Sequence, residues 1–315
     1  LLGRCCQNGN GLPRDDEAGA RWFQAAAGLG YPPAMCDLGL CYETGEGMPR
    51  DPALAAEWYT RAARQGYAPA QCNLAVCYLN GIGVETDPGQ AVEWLEKAAG
   101  QDFARALDIL GDRCKYGDGI ARDEARAVEL YRRAAEQGYP VAMCDLGLCY
   151  ELGAGVDMDK AEAVHWYAQG ALAGHAPSQC NLGYCYLTGI GVEPDPETAV
   201  EWLEKAAGQG LPRAMGLLSR CLRAGIGVQR DEREALTWLQ KAAGLGDGDA
   251  MHVLGQWYRD GAGALPKDRE KALDWLRRAA EAGCTGAAED LRALEAGADA
   301  PRARKKGLLG RLFGS

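Results

Sequence analysis

The sequence contains few of the residues on which catalytic and metal-binding proteins depend. Only three histidines occur among 315 residues, and no cysteine pair has the spacing of a zinc-ligand set. The longest run without a charged residue, 166–192, is interrupted by Gln, Pro, Ser, Asn and Gly, so no transmembrane helix is predicted. The net charge of −10 argues against a nucleic-acid-binding protein, which normally has a basic surface. The composition is that of a soluble globular chain.

Glycine, in contrast, is abundant, and its spacing shows an internal repeat. A Gly-x-Gly motif recurs every 36 residues, at Gly9/Gly11, Gly45/Gly47, Gly81/Gly83, Gly117/Gly119, Gly153/Gly155, Gly189/Gly191, Gly225/Gly227 and Gly261/Gly263. An Asp follows the second glycine by four residues in seven motifs, and by five in the eighth, where the loop is longer. A longer period of 108 residues is also present, because residues 35–43 and 143–151 are identical. We infer that a block of three repeats was duplicated.

Each 36-residue unit is predicted to form two helices. The recurring Asp suits a helix N-cap, and Pro follows it directly in three units. The helix that begins there has apolar residues on one side, as at Ala55, Trp58 and Ala62, and the tryptophan is predicted to lie in the core. The other helix ends at the Gly-x-Gly motif. Since neither helix can bury its apolar side alone, neighbouring units are expected to stack.

These units resemble the Sel1-like repeat family, which is related to tetratricopeptide repeats. Residues 70–100, AQCNLAVCYLNGIGVETDPGQAVEWLEKAAG, fit the family pattern almost throughout, whereas Cys114, Leu130 and Leu222 depart from it. The resemblance implies an all-α fold, a right-handed α-α solenoid of about eight 36-residue helix-turn-helix repeats. One uninterrupted domain is expected at residues 1–294, with a truncated first repeat and a closing helix at 287–294. A flexible linker and tail are expected at 295–315.

Most of the thirteen cysteines occupy two positions that are equivalent from repeat to repeat, called columns below. Within one repeat these two positions are five residues apart. On a helix this spacing gives a rise of ~7.5 Å, and equivalent cysteines of neighbouring units lie ~8–10 Å apart, so neither arrangement favours a disulfide. We predict free thiols that fill the core, in the cytoplasm or another reducing compartment. Disulfides, and metal or redox roles, are the alternatives.

No catalytic constellation is evident. His165, His175 and His252 share no repeat column, and no Ser or Cys lies in a recognised nucleophile motif. His165 and His252 are expected to be packing residues, and Trp257 is either a packing or a partner-contact residue. The glycine pairs follow helices instead of strands, so they do not predict a dinucleotide site. We therefore expect no enzyme activity, no metal and no cofactor.

The resemblance to tetratricopeptide proteins implies that the helix preceding each Gly-x-Gly motif lines a concave binding groove. The residue before the Leu-Gly pair is then a candidate for binding a peptide backbone; this column holds Asp37, Asn73, Asp145 and Asn181, with Ile109, Leu217 and Val253 departing. A second column, two residues after that Leu, holds Leu40, Val76, Asp112, Leu148, Tyr184, Arg220 and Gln256. The Asp and Asn side chains favour a polar or basic ligand. The alternative is that these positions are simply solvated.

The tail, PRARKKGLLGRLFGS, carries five basic residues and no acid. As a short helix it would place Leu309, Leu312 and Phe313 beside Lys305 and Lys306, which suits contact with a protein groove or an anionic membrane. The alternative is a disordered, solubilising end.

The function predicted from the sequence is a non-enzymatic scaffold or adaptor that binds peptides or partner domains in its groove. Its partners would be proteins, with no nucleic acid and with membrane contact only through the tail, and the chain is expected to be a monomer. Two alternatives come from the family and the tail: a secreted, cysteine-rich, hydrolase-like enzyme, and a membrane-proximal adaptor that acts through the tail.

The cysteine interpretation predicts that all thirteen cysteines are free thiols in the native protein. Maleimide labelling under denaturing, non-reducing conditions, read by mass, should add thirteen labels per chain. A count of five or fewer would show that the disulfide alternative is right and that the compartment is oxidising.

Overall fold

The computed structural model describes residues 2–9, 11, 13–262 and 264–297, and within these ranges the chain forms seventeen helices and no strand. The helices fall into two compact units that divide after Met158. The first unit contains α1 (Leu2–Asn8), α2 (Asp16–Gly28), α3 (Pro32–Thr44), α4 (Pro52–Arg64), α5 (Ala68–Asn80), α6 (Pro88–Ala99), α7 (Ala104–Tyr116), α8 (Glu124–Glu136) and α9 (Pro140–Leu152). The second contains α10 (Lys160–Leu172), α11 (Ala176–Thr188), α12 (Pro196–Gly208), α13 (Pro212–Ala224), α14 (Glu232–Gly244), α15 (Gly248–Asp260), α16 (Arg269–Glu281) and α17 (Thr285–Glu295). The absence of a domain boundary, expected from the repeats, stays a prediction.

Odd-numbered helices, called helix A below, alternate with even-numbered helices, called helix B. In the first unit α3 packs against α2, α4 and α5, and in the second α13 packs against α11, α12, α14 and α15. In both units, a helix A thus contacts the helices before and after it in the chain and a neighbouring helix A. This is the stacking that the repeat predicts. No helix in the described part of the chain is long and apolar enough to cross a bilayer.

The predicted helix caps are confirmed. Asp51 accepts hydrogen bonds from the amides of Ala53 and Leu54, and the equivalent Asp caps every helix B of both units. The first glycine of the motif, as at Gly81 with φ of 68°, ends helix A in the left-handed conformation. Glycine reaches this conformation without steric strain.

The prediction that the tryptophan column lies in the core is wrong. Trp22 is 50% exposed, and the remaining tryptophans of the column are half-buried. The core position is the next residue, which is completely buried at Tyr59 and Leu95 in the first unit and at Leu203 and Leu276 in the second. The indole lies instead at the edge of the core, where Lys97 Nζ is 3.9 Å from the centroid of the Trp94 ring. Such a site suits an indole because its N–H stays near water while its face binds a cation.

The second glycine of the motif is required for a close backbone approach. Gly83 follows α5 and passes directly over the first turn of α4, where a Cβ would overlap the carbonyl oxygen of Pro52. Its φ of 69° is also left-handed. Another close approach occurs inside helix A, because a Cβ on Gly39 would lie 2.7 Å from the ring of Tyr59. The abundance of glycine is therefore explained by helix packing and turns.

The cysteines behave as the sequence predicts. All thirteen are free, and eleven are buried; Cys5 and Cys284 are partly exposed. Burial raises the pKa of Cys36 to about 12 and that of Cys72 to about 11, so both thiols are neutral at physiological pH. Neutral thiols of this size are suitable core residues between closely packed helices.

The Gly83 contact predicts a large difference between two glycine substitutions. Gly83→Ala imposes both backbone strain and overlap with Pro52, whereas Gly66→Ala imposes backbone strain alone because nothing lies within 4 Å of its Cβ. Strain from φ should cost about 1–2 kcal/mol in each variant, and the overlap should add to it in Gly83→Ala. Urea unfolding followed by circular dichroism measures both. Equal losses of stability would show that the α5 loop can move away from α4.

Candidate protein-interaction site

Three side-chain positions recur along the helices A: the first is mostly buried, and the second and third hold the predicted binding residues. In α3 the first position is Cys36, the second is Asp37 and the third is Leu40. The equivalent residues of every other helix A carry the same position names. In α7 and α9 of the first unit these positions hold Asp108, Ile109 and Asp112, followed by Cys144, Asp145 and Leu148. In α15 and α17 of the second unit they include His252, Gln256 and Asp290.

The N-terminal repeats show how these positions meet. Arg4, at the third position of α1, donates two hydrogen bonds of 2.9 Å to the carboxylate of Asp37, at the second position of α3. Asn73 Nδ2, at the second position of α5, lies 3.5 Å from Cys36 Sγ, at the first position of α3. The first and third positions of one helix A therefore both face the second position of the next helix A.

The asparagines that were predicted to bind a peptide already have partners within the chain. Asn73 Oδ1 accepts a 2.9 Å hydrogen bond from Arg105, and Asn181 Oδ1 accepts a 3.0 Å hydrogen bond from Arg213. These residues hold neighbouring repeats together, whatever else they bind. Buried glutamines do the same, since Gln101 donates to Gln71 at 2.9 Å and Gln209 donates to Gln179 at 2.8 Å.

In the last repeat, the first and third positions of one helix A again face the second position of the next. Asp290 of α17 accepts a 2.7 Å hydrogen bond from Gln256, lies 2.9 Å from His252 Nε2, and forms a 3.2 Å ion pair with Arg259. Asp290 was missed in the sequence because the longer loop before Asp268 shifts the register by one residue. This cluster attaches the closing helix to α15.

The α7–α9 pair differs from the α1–α3 and α15–α17 pairs, because carboxylates occupy all three of the places where those pairs combine an acid with donors. Asp108 is 5% exposed, and its Oδ1 has no hydrogen-bond partner among the described residues. Asp112 accepts a 2.7 Å hydrogen bond from the Tyr131 hydroxyl. No Lys or Arg in the described part of the chain forms an ion pair with Asp145. We call Asp108, Asp112 and Asp145 the acid cluster.

Burial and mutual repulsion raise the pKa values of two acids of the cluster. Burial, and then the charges of Asp145 and Asp112, raises the pKa of Asp108 to about 8. Burial and the charge of Asp112 raise the pKa of Asp145 to about 6, although Lys115 acts in the opposite direction. At neutral pH the Asp108 carboxyl therefore holds a proton and that of Asp145 is mostly ionised. Sequence reasoning missed Asp108, whose only signal was an acid in a cysteine column.

In the second unit two predicted residues line a small cleft. Tyr184 and Arg220 contribute to a cavity of about 160 Å³, together with Arg213, Asp247 and Asp249. The guanidinium of Arg213 lies 5.8 Å from the centroid of the Tyr184 ring. Cations and carboxylates are mixed there, in contrast to the acid cluster. In the first unit, Leu40 is 47% exposed, and Val76 and Leu148 are half-buried.

Among the described residues, a thiol and an imidazole lie close together at Cys284 and His252. Cys284 Sγ lies 3.6 Å from His252 Nδ1, but burial and the nearby Asp249 raise the pKa of the thiol, which keeps it neutral. His165 is exposed beside Trp166, contrary to the packing role expected for it, and Trp257 is a packing residue at 3% exposure. Within the described residues, no group of His, Cys, Asp or Glu is placed to hold a metal ion.

Comparison with known proteins agrees with the repeat structure. The Sel1 repeat family matches the chain in eight consecutive segments: residues 1–31, 32–67, 68–103, 104–139, 140–175, 176–211, 212–247 and 248–284. The chain belongs to the Sel1 repeat family. Its predicted all-α solenoid fold is thereby confirmed.

Two solved structures are similar to this Sel1 repeat chain. One is a protective antigen of uropathogenic Escherichia coli that displays an SLR fold, with 36% identity and a TM-score of 0.73. That match covers 93% of this chain and 63% of the antigen, so the chain spans less than two thirds of its length. The other is a Sel1 repeat protein of Oxalobacter formigenes, with 32% identity and a TM-score of 0.69, covering 77% of this chain and 95% of that one. Among the curated proteins compared, none matches the chain.

The tail residues proposed to contact a partner, Lys305, Lys306, Leu309, Leu312 and Phe313, lie outside the described residues. The candidate surface described above therefore belongs to the Sel1 repeats themselves.

The raised pKa of Asp108 predicts an inverted dependence of stability on pH. Because the folded state holds this proton more tightly than the unfolded state, the contribution of Asp108 to stability falls as pH rises from about 4 to about 8. Asp108→Asn removes this titration, so it should be more stable than wild type at pH 9, by up to several kcal/mol, and similar to it at pH 5. Thermal unfolding at both values measures the difference.

Asp37→Asn is the matched control. It removes a carboxylate that has Arg4 as its partner, so it should not raise stability at pH 9. If wild type remained the more stable protein at pH 9, Asp108 would not carry the buried charge.

Proposed function

We propose that this chain is a non-enzymatic, monomeric scaffold that binds segments of partner proteins along its helices A. Sel1 repeat proteins are generally scaffolds for protein interactions. One observation supports the proposal for this chain. The core residues and the helix caps are the same kinds of residue from repeat to repeat, whereas the residues at the second and third positions of helix A differ between repeats. A surface that varies over a constant framework is suited to recognising another molecule.

The chemistry of the described residues supports binding over catalysis. The one close approach of thiol, imidazole and carboxylate, at Cys284, His252 and Asp290, has a neutral thiol, and its hydrogen bonds attach α17. The free thiols also support our proposal of a reducing, cytoplasmic location.

Site-specific photo-crosslinking in the source cell tests the scaffold proposal. A photoreactive phenylalanine analogue replaces either Val76 or Glu93. Val76 lies on helix A, and Glu93 is exposed on helix B of the same repeat. Each variant is also prepared as a chain shortened to residue 300. We expect partner crosslinks from position 76 in both lengths and few or none from position 93.

Crosslinks of equal yield from both positions would contradict a binding surface on helix A. Crosslinks that disappear only in the shortened chain would show that the tail is the binding element and that the repeats merely present it. Circular dichroism of each variant establishes that the helices have formed.

A further inference from the structure

We propose that the acid cluster of Asp108, Asp112 and Asp145 is a binding site for one Lys or Arg side chain of a partner segment. The inference rests on the proposed scaffold function and adds the chemistry of the partner. It concerns the first unit alone, between α7 and α9.

The equivalent positions of other repeats show what the cluster lacks. At the α1–α3 pair the third-position residue is Arg4, and its guanidinium binds Asp37 with two hydrogen bonds. At the α15–α17 pair the first and third positions are His252 and Gln256, and both contact Asp290. At the α7–α9 pair all three places are taken by carboxylates. Asp145, unlike Asp37 and Asp290 at the same position, receives no hydrogen bond from another side chain among the described residues.

The burial of Asp108 is a second, independent observation. Its side chain is 5% exposed, and its Oδ1 is enclosed without a hydrogen-bond donor. A buried polar atom without a partner costs free energy, and such atoms are rare in folded proteins. An ammonium or guanidinium group between Asp108 and Asp145 would supply the missing donor and offset the repulsion between the carboxylates.

The charges around the cluster favour an organic cation from outside the chain. Lys115 is a cation whose charge lowers the pKa of Asp145, but the two side chains form no ion pair. Arg105 is engaged with Asn73. The carboxylates are not placed to hold a metal ion, whereas a long Lys or Arg side chain can lay its stem on apolar surface and present its charged group to the carboxylates.

Binding of a cation should release a proton, because Asp108 must ionise to pair with it. Affinity should therefore rise between pH 6 and pH 8, by up to tenfold per unit. Asp145, whose pKa is raised to about 6, also ionises at the lower end of this range. The neighbouring thiols, phenols and ammonium do not change charge there, because their pKa values are raised. These groups are Cys72, Cys149, Tyr131, Tyr139 and Lys115.

Fluorescence anisotropy with designed peptides tests the proposal on the full chain. The probe is a fluorescein-labelled nine-residue peptide of Gly and Ser with a central Arg, and its partner peptide has citrulline, which has the same shape without the charge. We expect the Arg peptide to bind at least tenfold more tightly than the citrulline peptide at pH 8, with a smaller ratio at pH 6. A Lys peptide should behave like the Arg peptide, and a Glu peptide should not bind.

Two variants separate the cluster from general negative charge. Asp108→Asn with Asp145→Asn should abolish both the preference for Arg and its pH dependence. Asp37→Asn removes an acid at the equivalent second position of the same unit and should leave both unchanged. Thermal unfolding verifies that each variant is folded, and calorimetry in two buffers of different ionisation enthalpy measures the released proton.

Equal binding of the Arg and citrulline peptides, no binding at millimolar peptide, or an equal loss in Asp37→Asn would overturn the inference. Argininamide that binds as tightly as the Arg peptide would show a site for free organic cations, which also overturns it. The scaffold proposal is judged separately: crosslinks from position 76 that persist in the Asp108→Asn, Asp145→Asn chain would leave that function standing while this site fails.

Discussion

The structure depends on one steric constraint, the passage of each helix A loop over the first turn of the preceding helix B. At Gly83 there is no room for a Cβ above the Pro52 carbonyl. The contact fixes how far α5 can move along α4, because any slip would bring backbone atoms into collision. The same contact recurs at Gly47 in the first unit and at Gly191 and Gly227 in the second. Capping by Asp and packing by Leu, Ala and Cys then stabilise a spacing that glycine has already determined.

A fixed spacing makes positions in different repeats comparable. Because Arg4 reaches Asp37 across one repeat step, the equivalent residues Asp112 and Asp145 must also face each other. Nothing in their own helices requires this pairing of like charges. The repeat geometry thus turns local differences in sequence into local differences in surface chemistry, at the same point of each repeat.

Much of this fold can be predicted from the repeat period of the sequence. The candidate site, in contrast, becomes visible only from the contacts between side chains in the structure. Repeat length, caps, helix ends and free thiols could be predicted since each depends on residues near in sequence. The helical period of 3.6 residues places Trp58 and Tyr59 on adjacent sides of the helix. The sequence pattern therefore does not decide which of the two faces the core, and only the packing in the structure shows it. Asp108 was overlooked because an acid in a cysteine column is a single exception among many matches. Asp108 becomes a candidate binding residue because it is buried and because Asp145, 37 residues away in the sequence, acts on it. Neither fact can be read from the sequence pattern.

The 108-residue duplication lets the chain serve as its own evolutionary comparison. The bonds that join repeats survive in both copies, as Arg105–Asn73 and Arg213–Asn181, and as Gln101–Gln71 and Gln209–Gln179. The acid cluster does not survive, since the residues 108 positions after Asp108, Asp112 and Asp145 are Gly216, Arg220 and Val253. The two blocks share the residues that join neighbouring repeats and differ at these positions, so one framework presents different side-chain chemistry in each half of the chain.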